Sequence, residues 1–191
     1  SNTYQDKFGD PGKDIFYPEH PDGSRLPVNA QGHIVRFKPD SYALEETSGS
    51  TQFGQTFDDW GHHFLVYNAN HIYQEVIANR YLKRNPEQIV GDATESLSDH
   101  GDACDVYPIT KNPEHQLLTD VGVITSACGI TAYQGGAFPD SFNRDVAFVC
   151  EPFSNLVHAD RLKDKGATFT ASRVLEHQEF LASTDAWFRP V

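Results

Sequence analysis

The chain contains no methionine. A translation start therefore lies outside it, and the sequence reads as an internal stretch of a longer protein. The final run, STDAWFRPV, fits this reading, because it stops within a strand-like pattern without a polar tail. No run of about 18 apolar residues is present, so nothing here is long enough to cross a membrane as a helix. The N-terminus also lacks the basic, apolar and small-residue segments of a signal peptide. Positive charge is scarce: 15 Lys and Arg stand against 27 Asp and Glu, giving a net charge of −12. Nucleic acid and anionic membrane surfaces need clustered basic residues, so both are poor partners. Cations and neutral polar molecules suit this balance better. Cysteine is reduced to Cys104, Cys128 and Cys150, with no CxxC or CxxCH spacing. That excludes a local zinc knuckle and a local haem attachment. One disulfide in an oxidising compartment, or three buried thiols, both fit. No GxSxG, P-loop or GxGxxG run is found, which leaves hydrolase, NTPase and Rossmann readings without support.

What the chain does have is aromatic residues, at 12%, with apolar residues at only 38%. Frequent Gly, Pro, Asn and Asp accompany them. This composition points to a loop-rich β protein, since a helical bundle needs more Ala, Leu, Glu and Lys. Residues 1–30 are rich in proline and lack apolar periodicity, so they read as an extended loop or insertion. From residue 31 the pattern changes. GHIVRF and YALEET alternate as strands around a PDS turn. QTF, HHFLVYN and IYQEVI follow, separated by the tight turns DDWG and ANH. Residues 78–91 are mildly helical, and 92–119 read as a long polar loop with a short strand at VYPI. The strand pattern resumes at 121 and runs through VAFVCEP, LVHADRL and a hairpin at KDKGATFTASR.

FLVYNANHIYQEV and FVCEPFSNLVHADRL share one layout: a buried strand, a tight Asn-containing turn, then an alternating strand carrying a His. Repeated four-stranded units of this kind predict an all-β fold, a partial β-propeller with about two to three blades of a six-bladed type and long loops. Residues 31–191 would be an incomplete propeller continuing beyond both ends. In that topology Asn68, Asn70 and His71 fall on the same face as Glu151, Ser154 and Asn155, at the mouth of a central channel.

Several polar groups then compete for a role. Asp58 and Asp59 read as turn caps. His62 and His63 are adjacent in a strand and point to opposite sides, so they do not chelate one ion together. His158 alternates with Asp160, which puts both on one face. SDHGDACD gathers Asp99, His100, Asp102 and Asp105 on a Gly-containing loop, and Asp99, His100 and Asp102 form a candidate Ca²⁺ or other divalent-metal site. Glu151 ends a buried strand, either capping the next turn or acting as a base. His71 is the first candidate base and Glu151 the second. Asn68, Asn70, Asn155 and His158 are candidate substrate or cofactor contacts.

The runs QFGQTFDDWGHHFLVYNANHI, SACGITAYQGGAFPDSF, VAFVCEPFSNLVHADRL and EFLASTDAWFRPV resemble the membrane-bound dehydrogenase domain of planctomycete and verrucomicrobial proteins. That domain is similar to the propeller of glucose/sorbosone dehydrogenases and often precedes a c-type haem domain. The resemblance implies oxidation of a sugar or alcohol, with pyrroloquinoline quinone as acceptor, Ca²⁺ beside it, and electrons passing to a haem c domain of the same chain outside this sequence. It also implies a periplasmic, secreted or cell-envelope location. The sugar dehydrogenases carry an Arg-Asn pair where this chain has Ser50 and Thr51, in GSTQFGQ. Arg144 and Arg189 are the remaining candidates for a bidentate contact to a quinone carboxylate. The alternative expectation is a non-catalytic propeller that binds glycans or proteins.

Overall fold

β-Branched and aromatic residues, cut into short runs by Gly, Pro, Asn and Asp, give the described residues of this chain many short strands and little helix. The computed structural model describes residues 14–26, 33–110 and 122–191. Much of the extended segment expected over 1–30, and residues 111–119 of the expected long loop, lie outside the described residues. The chain divides into two compact units, one of residues 1–52 and 77–94, the other of 53–76 and 95–191.

The first unit holds the hairpin of β1 (Val35–Lys38) and β2 (Ala43–Glu46), paired antiparallel with Val35 opposite Glu46. Its PDS turn forms where expected. Ile15 and Leu26 exchange backbone bonds of 2.9 and 3.0 Å and close a neighbouring loop. Tyr17 packs edge-on against Phe37 and Tyr42. The helical stretch expected over 78–91 shrinks to one turn, α1 (Asn79–Leu82). It has no side-chain N-cap, and Asn85-Pro86 stops it; so short a helix gains nothing from propensity alone.

The second unit is two antiparallel meanders. One sheet runs β3 (Gln55–Phe57), β4 (His63–Leu65), β5 (Tyr73–Glu75) and β6 (Thr94–Ser96) in sequence order. The other runs β7 (Cys128–Tyr133), β8 (Val146–Glu151), β9 (Leu156–Lys165) and β10 (Thr168–Arg173). A short β11 (Leu181–Ala182) pairs with the start of β9. Neither sheet closes on itself. The DDWG turn before β4 uses Gly61 at φ +84, where a side chain would be strained. The strand expected at VYPI does not form. There Asp105 bridges Val123, and the Val106 N–H donates to the Gly122 carbonyl at 2.7 Å.

The sheets meet along two seams. Leu97 and Ala171 share a backbone bond of 2.8 Å, and the Asp99 N–H returns to the Ala171 carbonyl at 3.0 Å. On the other side the Gly129 N–H reaches the Phe53 carbonyl, and the Ala132 N–H reaches Thr56 Oγ1. A Cβ on Gly54 would stand 3.0 Å from the Gly129 nitrogen, so that seam depends on glycine. Between the seams lies the core: Phe64, Val66 and Ile72 from one sheet, Ala147, Val149, Leu156 and Ala171 from the other, all fully buried. Their burial is the main favourable term in folding this unit. Cys104, Cys128 and Cys150 are all free thiols, and burial pushes the first two up to about 12 and about 11.

Phe64 is the largest of these core side chains and packs against Phe169 across the sheets at 5.5 Å. Phe64→Ala is expected to cost about 3–5 kcal/mol. Urea unfolding followed by tryptophan fluorescence measures it, with an unchanged midpoint as the contrary result.

Candidate metal centre

Four side chains converge in the second unit: His71, His100, His158 and Asp160. Three different pieces of local structure put them there. His158 and Asp160 are two apart on β9, so the pleat sends both to one face. His71 closes the turn between β4 and β5, where the Tyr67 N–H donates to the Asn70 carbonyl at 2.8 Å. His100 sits on the loop after β6. That loop is tied down by backbone bonds from Asp99 to Ala171, Ala103 to Ala69 and Ile124 to Cys104.

Asp160 is the hub. Its Oδ2 accepts from His71 Nε2 at 2.8 Å, and its Oδ1 accepts from His158 Nε2 at 3.1 Å. His100 Nε2 lies 3.6 Å from the same Oδ1. One donor atom from each of the four residues lies within 4.8 Å of all the others. The side chains of His71 and Asp160 are 0% exposed, His158 2% and His100 15%.

The outward nitrogens are also occupied. His158 Nδ1 is 2.7 Å from Glu179 Oε2, and the Glu179 side chain is fully buried. His100 Nδ1 is 2.8 Å from Asp99 Oδ1, and Asp99 also accepts from Ser172 Oγ. His71 Nδ1 faces the Cys104 thiol at 3.9 Å. An inner ring of Nε2 atoms around a carboxylate, with outer partners on Nδ1, is how metal-binding imidazoles are oriented.

The protonation pattern follows from these partners. Burial opposes charge on His158, but its bonds to Asp160 and Glu179 overcome that and raise it to about 9. It is an imidazolium in the absence of an ion. Burial also opposes charge on Asp160, yet the two imidazoles hold it far below the usual carboxylate range. Burial lowers His71, outweighing its bond to Asp160, so His71 is neutral. His100 shares its Nδ1 contact with Asp99, which leaves Nε2 facing the hub. That Nε2 is buried and has no hydrogen-bond partner. It points at Asp160 Oδ1, 3.6 Å away and beyond hydrogen-bond reach. A cation between them satisfies both.

The donor set fits a metal ion on chemical grounds. Three imidazoles and one carboxylate suit Zn²⁺, Cu²⁺, Fe²⁺, Mn²⁺ and their neighbours, whereas Ca²⁺ takes oxygen donors. Tetrahedral Zn²⁺ with ligands at about 2.0–2.1 Å separates its donors by roughly 3.3 Å, so the His71 and His158 bonds to Asp160 would open by a few tenths of an ångström while the widest donor pairs, within 4.8 Å, would close.

The sequence-predicted residues distribute unevenly around this centre. His100, expected in a metal set, is in it. Asp99 supports His100 from outside, and Asp102 stands apart, accepting from Ser96 Oγ at 3.2 Å. His71, expected as a base, has no exposed surface, and both its nitrogens face protein groups. His158, expected to contact a substrate, is instead a potential ligand. Glu151 is fully buried in a turn-capping role: its carboxylate accepts from the Thr125 and Ser126 N–H groups and from Ser126 Oγ. Burial raises it against those bonds.

Asn68 accepts from the Ala127 N–H through its carbonyl, and Asn70 from the Tyr67 N–H. Asn155 is left-handed at φ 56 and donates to the Phe188 carbonyl. Arg189 donates to the Pro152 carbonyl at 2.6 Å, and Arg144 is exposed. None of these five belongs to the cluster. His62 and His63 do diverge, His62 to Asp58 and His63 to Glu75 and Gln55. Glu179 was missed, since 21 residues separate it from His158 and no local pattern marks it.

Removing the hub leaves a buried imidazolium with one partner instead of two. Asp160→Ala is expected to destabilise the metal-free chain by about 3–5 kcal/mol at pH 7. His158 has its folded-state value raised above the unfolded one of about 6.5. The pair's contribution is therefore complete below about pH 6.5 and fades as the pH rises through about 9. Chemical denaturation of both proteins at pH 6 and pH 10 checks both points; a cost that grows with pH is the contrary result.

No curated protein and no solved structure matches the chain. A family model described as a domain of unknown function, DUF7133, matches residues 5–191. With almost the whole chain covered, this protein belongs to the DUF7133 family.

Proposed function

We propose that this domain is a transition-metal-binding module whose ion is held by His71, His100, His158 and Asp160. The observation that carries this reading is the buried, unpartnered Nε2 of His100 aimed at Asp160. Bound there, an ion supplies Lewis acidity or, if redox-active, one-electron chemistry. The chain's own residues do the rest. Glu179 and Asp99 fix the tautomers of His158 and His100, and Arg173, 3.9 Å from Glu179 Oε1, offsets that carboxylate's charge. Cys104, which faces His71, belongs with Ile124 and Leu97 to the apolar core on one side of the cluster.

The dehydrogenase reading connects to this centre through the resemblance alone. In it the two four-stranded meanders are propeller blades, a sugar or alcohol is oxidised, and electrons pass through a quinone to a haem c domain of the same chain. A specific observation supports the non-catalytic glycan-binding alternative. Trp60 is 87% exposed at the tip of the DDWG turn, beside a cleft of about 670 Å³ lined also by Gln134, Asp145, Lys163 and Asp164. The turn is rigid, because Asp58 Oδ1 accepts from the Trp60 and His62 N–H groups. A fixed exposed indole beside free donors and acceptors suits the apolar face of a sugar ring.

Titration with Zn²⁺ or Co²⁺ is expected to give one site per chain, with a Kd of about 1 μM or tighter. Glu179→Gln weakens it about 10–100-fold. Binding expels the His158 proton, so affinity rises about tenfold per pH unit up to about pH 9. Calorimetry across pH 6 to 8 tests this, and a flat profile or no saturable site overturns it. For the alternative, Trp60→Ala should abolish retention on insoluble neutral polysaccharides while Trp187→Ala preserves it. Equal retention of both variants removes the glycan reading.

A further inference from the structure

We infer that His100 is the exchangeable ligand of this centre, and that small molecules with an N or O donor reach the ion on its flank; this rests on the metal-site reading above. The four ligands are not equivalent. His71, His158 and Asp160 have 0–2% of their side chains exposed, and His100 has 15%. Their supports differ in the same way. Glu179 behind His158 is completely buried and also accepts from the Tyr107 N–H at 3.0 Å. Asp99 behind His100 is 46% exposed. The coordination sphere thus has three sealed flanks and one on which only the outer part of the His100 ring, whose Nε2 is buried, separates it from solvent.

The backbone shows the same asymmetry. His158 and Asp160 are interior to a ten-residue strand paired on both sides. His100 belongs to a turn that continues into Gly101 at φ +84 and Ala103 at φ 47. Its ring can swing without breaking a strand ladder. It also stands farthest from the hub, at 3.6 Å against 2.8 and 3.1 Å for the other two imidazoles. Swinging it out uncovers one coordination position to solvent and leaves three ligands in place, the arrangement of open metal sites.

Charge restricts what enters. Asp160, Glu179 and Asp99 bring three negative charges around a divalent ion, and Arg173 returns one positive charge beside Glu179. The centre is close to neutral, so it gives no electrostatic advantage to an anion. Water, a peroxide or a neutral nitrogen base suits the flank. A sugar does not, because the sealed ligands leave no surface for it.

The test is chemical rescue with free imidazole, read by metal affinity and by the visible spectrum of the Co²⁺-loaded full chain. His100→Gly is expected to bind Co²⁺ at least tenfold more weakly than wild type. Millimolar imidazole should restore both affinity and spectrum, because solvent reaches the vacated place. His158→Gly should gain nothing from imidazole, since its place is sealed. Should His158→Gly fail to fold, the wild-type Co²⁺ spectrum must still shift on adding imidazole. A wild type that binds Co²⁺ while His100→Gly is not rescued and the wild-type spectrum stays fixed overturns this inference and leaves the metal site standing. Equal rescue of both variants also overturns it. A wild type that binds no Co²⁺ overturns the metal site and the inference together.

Discussion

One buried carboxylate organises the second unit. Asp160 has no exposed surface, yet it stays ionised because the imidazoles on either side hold its charge. A lone carboxylate at that depth would take up a proton, for burying an uncompensated charge costs several kcal/mol. Two imidazoles, His71 and His158, therefore have to arrive correctly turned, and His100 stands beside them. That requirement accounts for Glu179 behind His158, for Asp99 and Ser172 behind His100, and for the unusual weaving of the loop after β6 through backbone bonds to both sheets. The apolar core beside it, from Leu97 to Ile124, sets the low-dielectric surroundings that strengthen these contacts.

Much of the fold was legible because strand and turn chemistry is local. DDWG needs a residue tolerant of positive φ, and Gly61 supplies it. The two four-stranded units follow from strand patterns broken by turns, and β9 carries His158 and Asp160 two apart on one face as expected. Whether such sheets sit in a closed ring is a long-range property that no local pattern fixes. The strand at VYPI is missing because its backbone finds partners on a distant segment, as Val106 does on Gly122, whereas the helix after β5 is cut to one turn locally, by a bare N-terminus and Pro86.

The site was legible in its parts and not in its assembly. Sequence reasoning picked out His71, His100 and His158 but gave them three separate jobs. Spacing could not bring them together, because His71 and Asp160 are 89 positions apart and meet only through the seam between two sheets. The acidic loop drew attention to Asp102, whose carboxylate ends up on Ser96 at the surface. Glu151 looked like a base at a strand end, and its three in-chain donors make it a cap for the turn around Ser126. The signal that pointed the right way was the alternation of His158 with Asp160, the one pair whose geometry the strand itself dictates.

The separation between His71 and Asp160 also sets an order of events during synthesis. Chains emerge at about 5–20 residues per second, so roughly 5–20 s pass between the appearance of His71 and that of Asp160. The first sheet and the His100 loop must wait through that interval without their carboxylate. An ion caught early would meet two imidazoles and nothing to balance its charge. Once β9 pairs, an ion held there would cross-link positions 89 residues apart and remove the loop-closure entropy that the open chain regains on unfolding. A chain cut before residue 158 has no such cross-link to make, and its first sheet keeps only its own ladders, the seam at Gly129 and Thr56, and apolar packing.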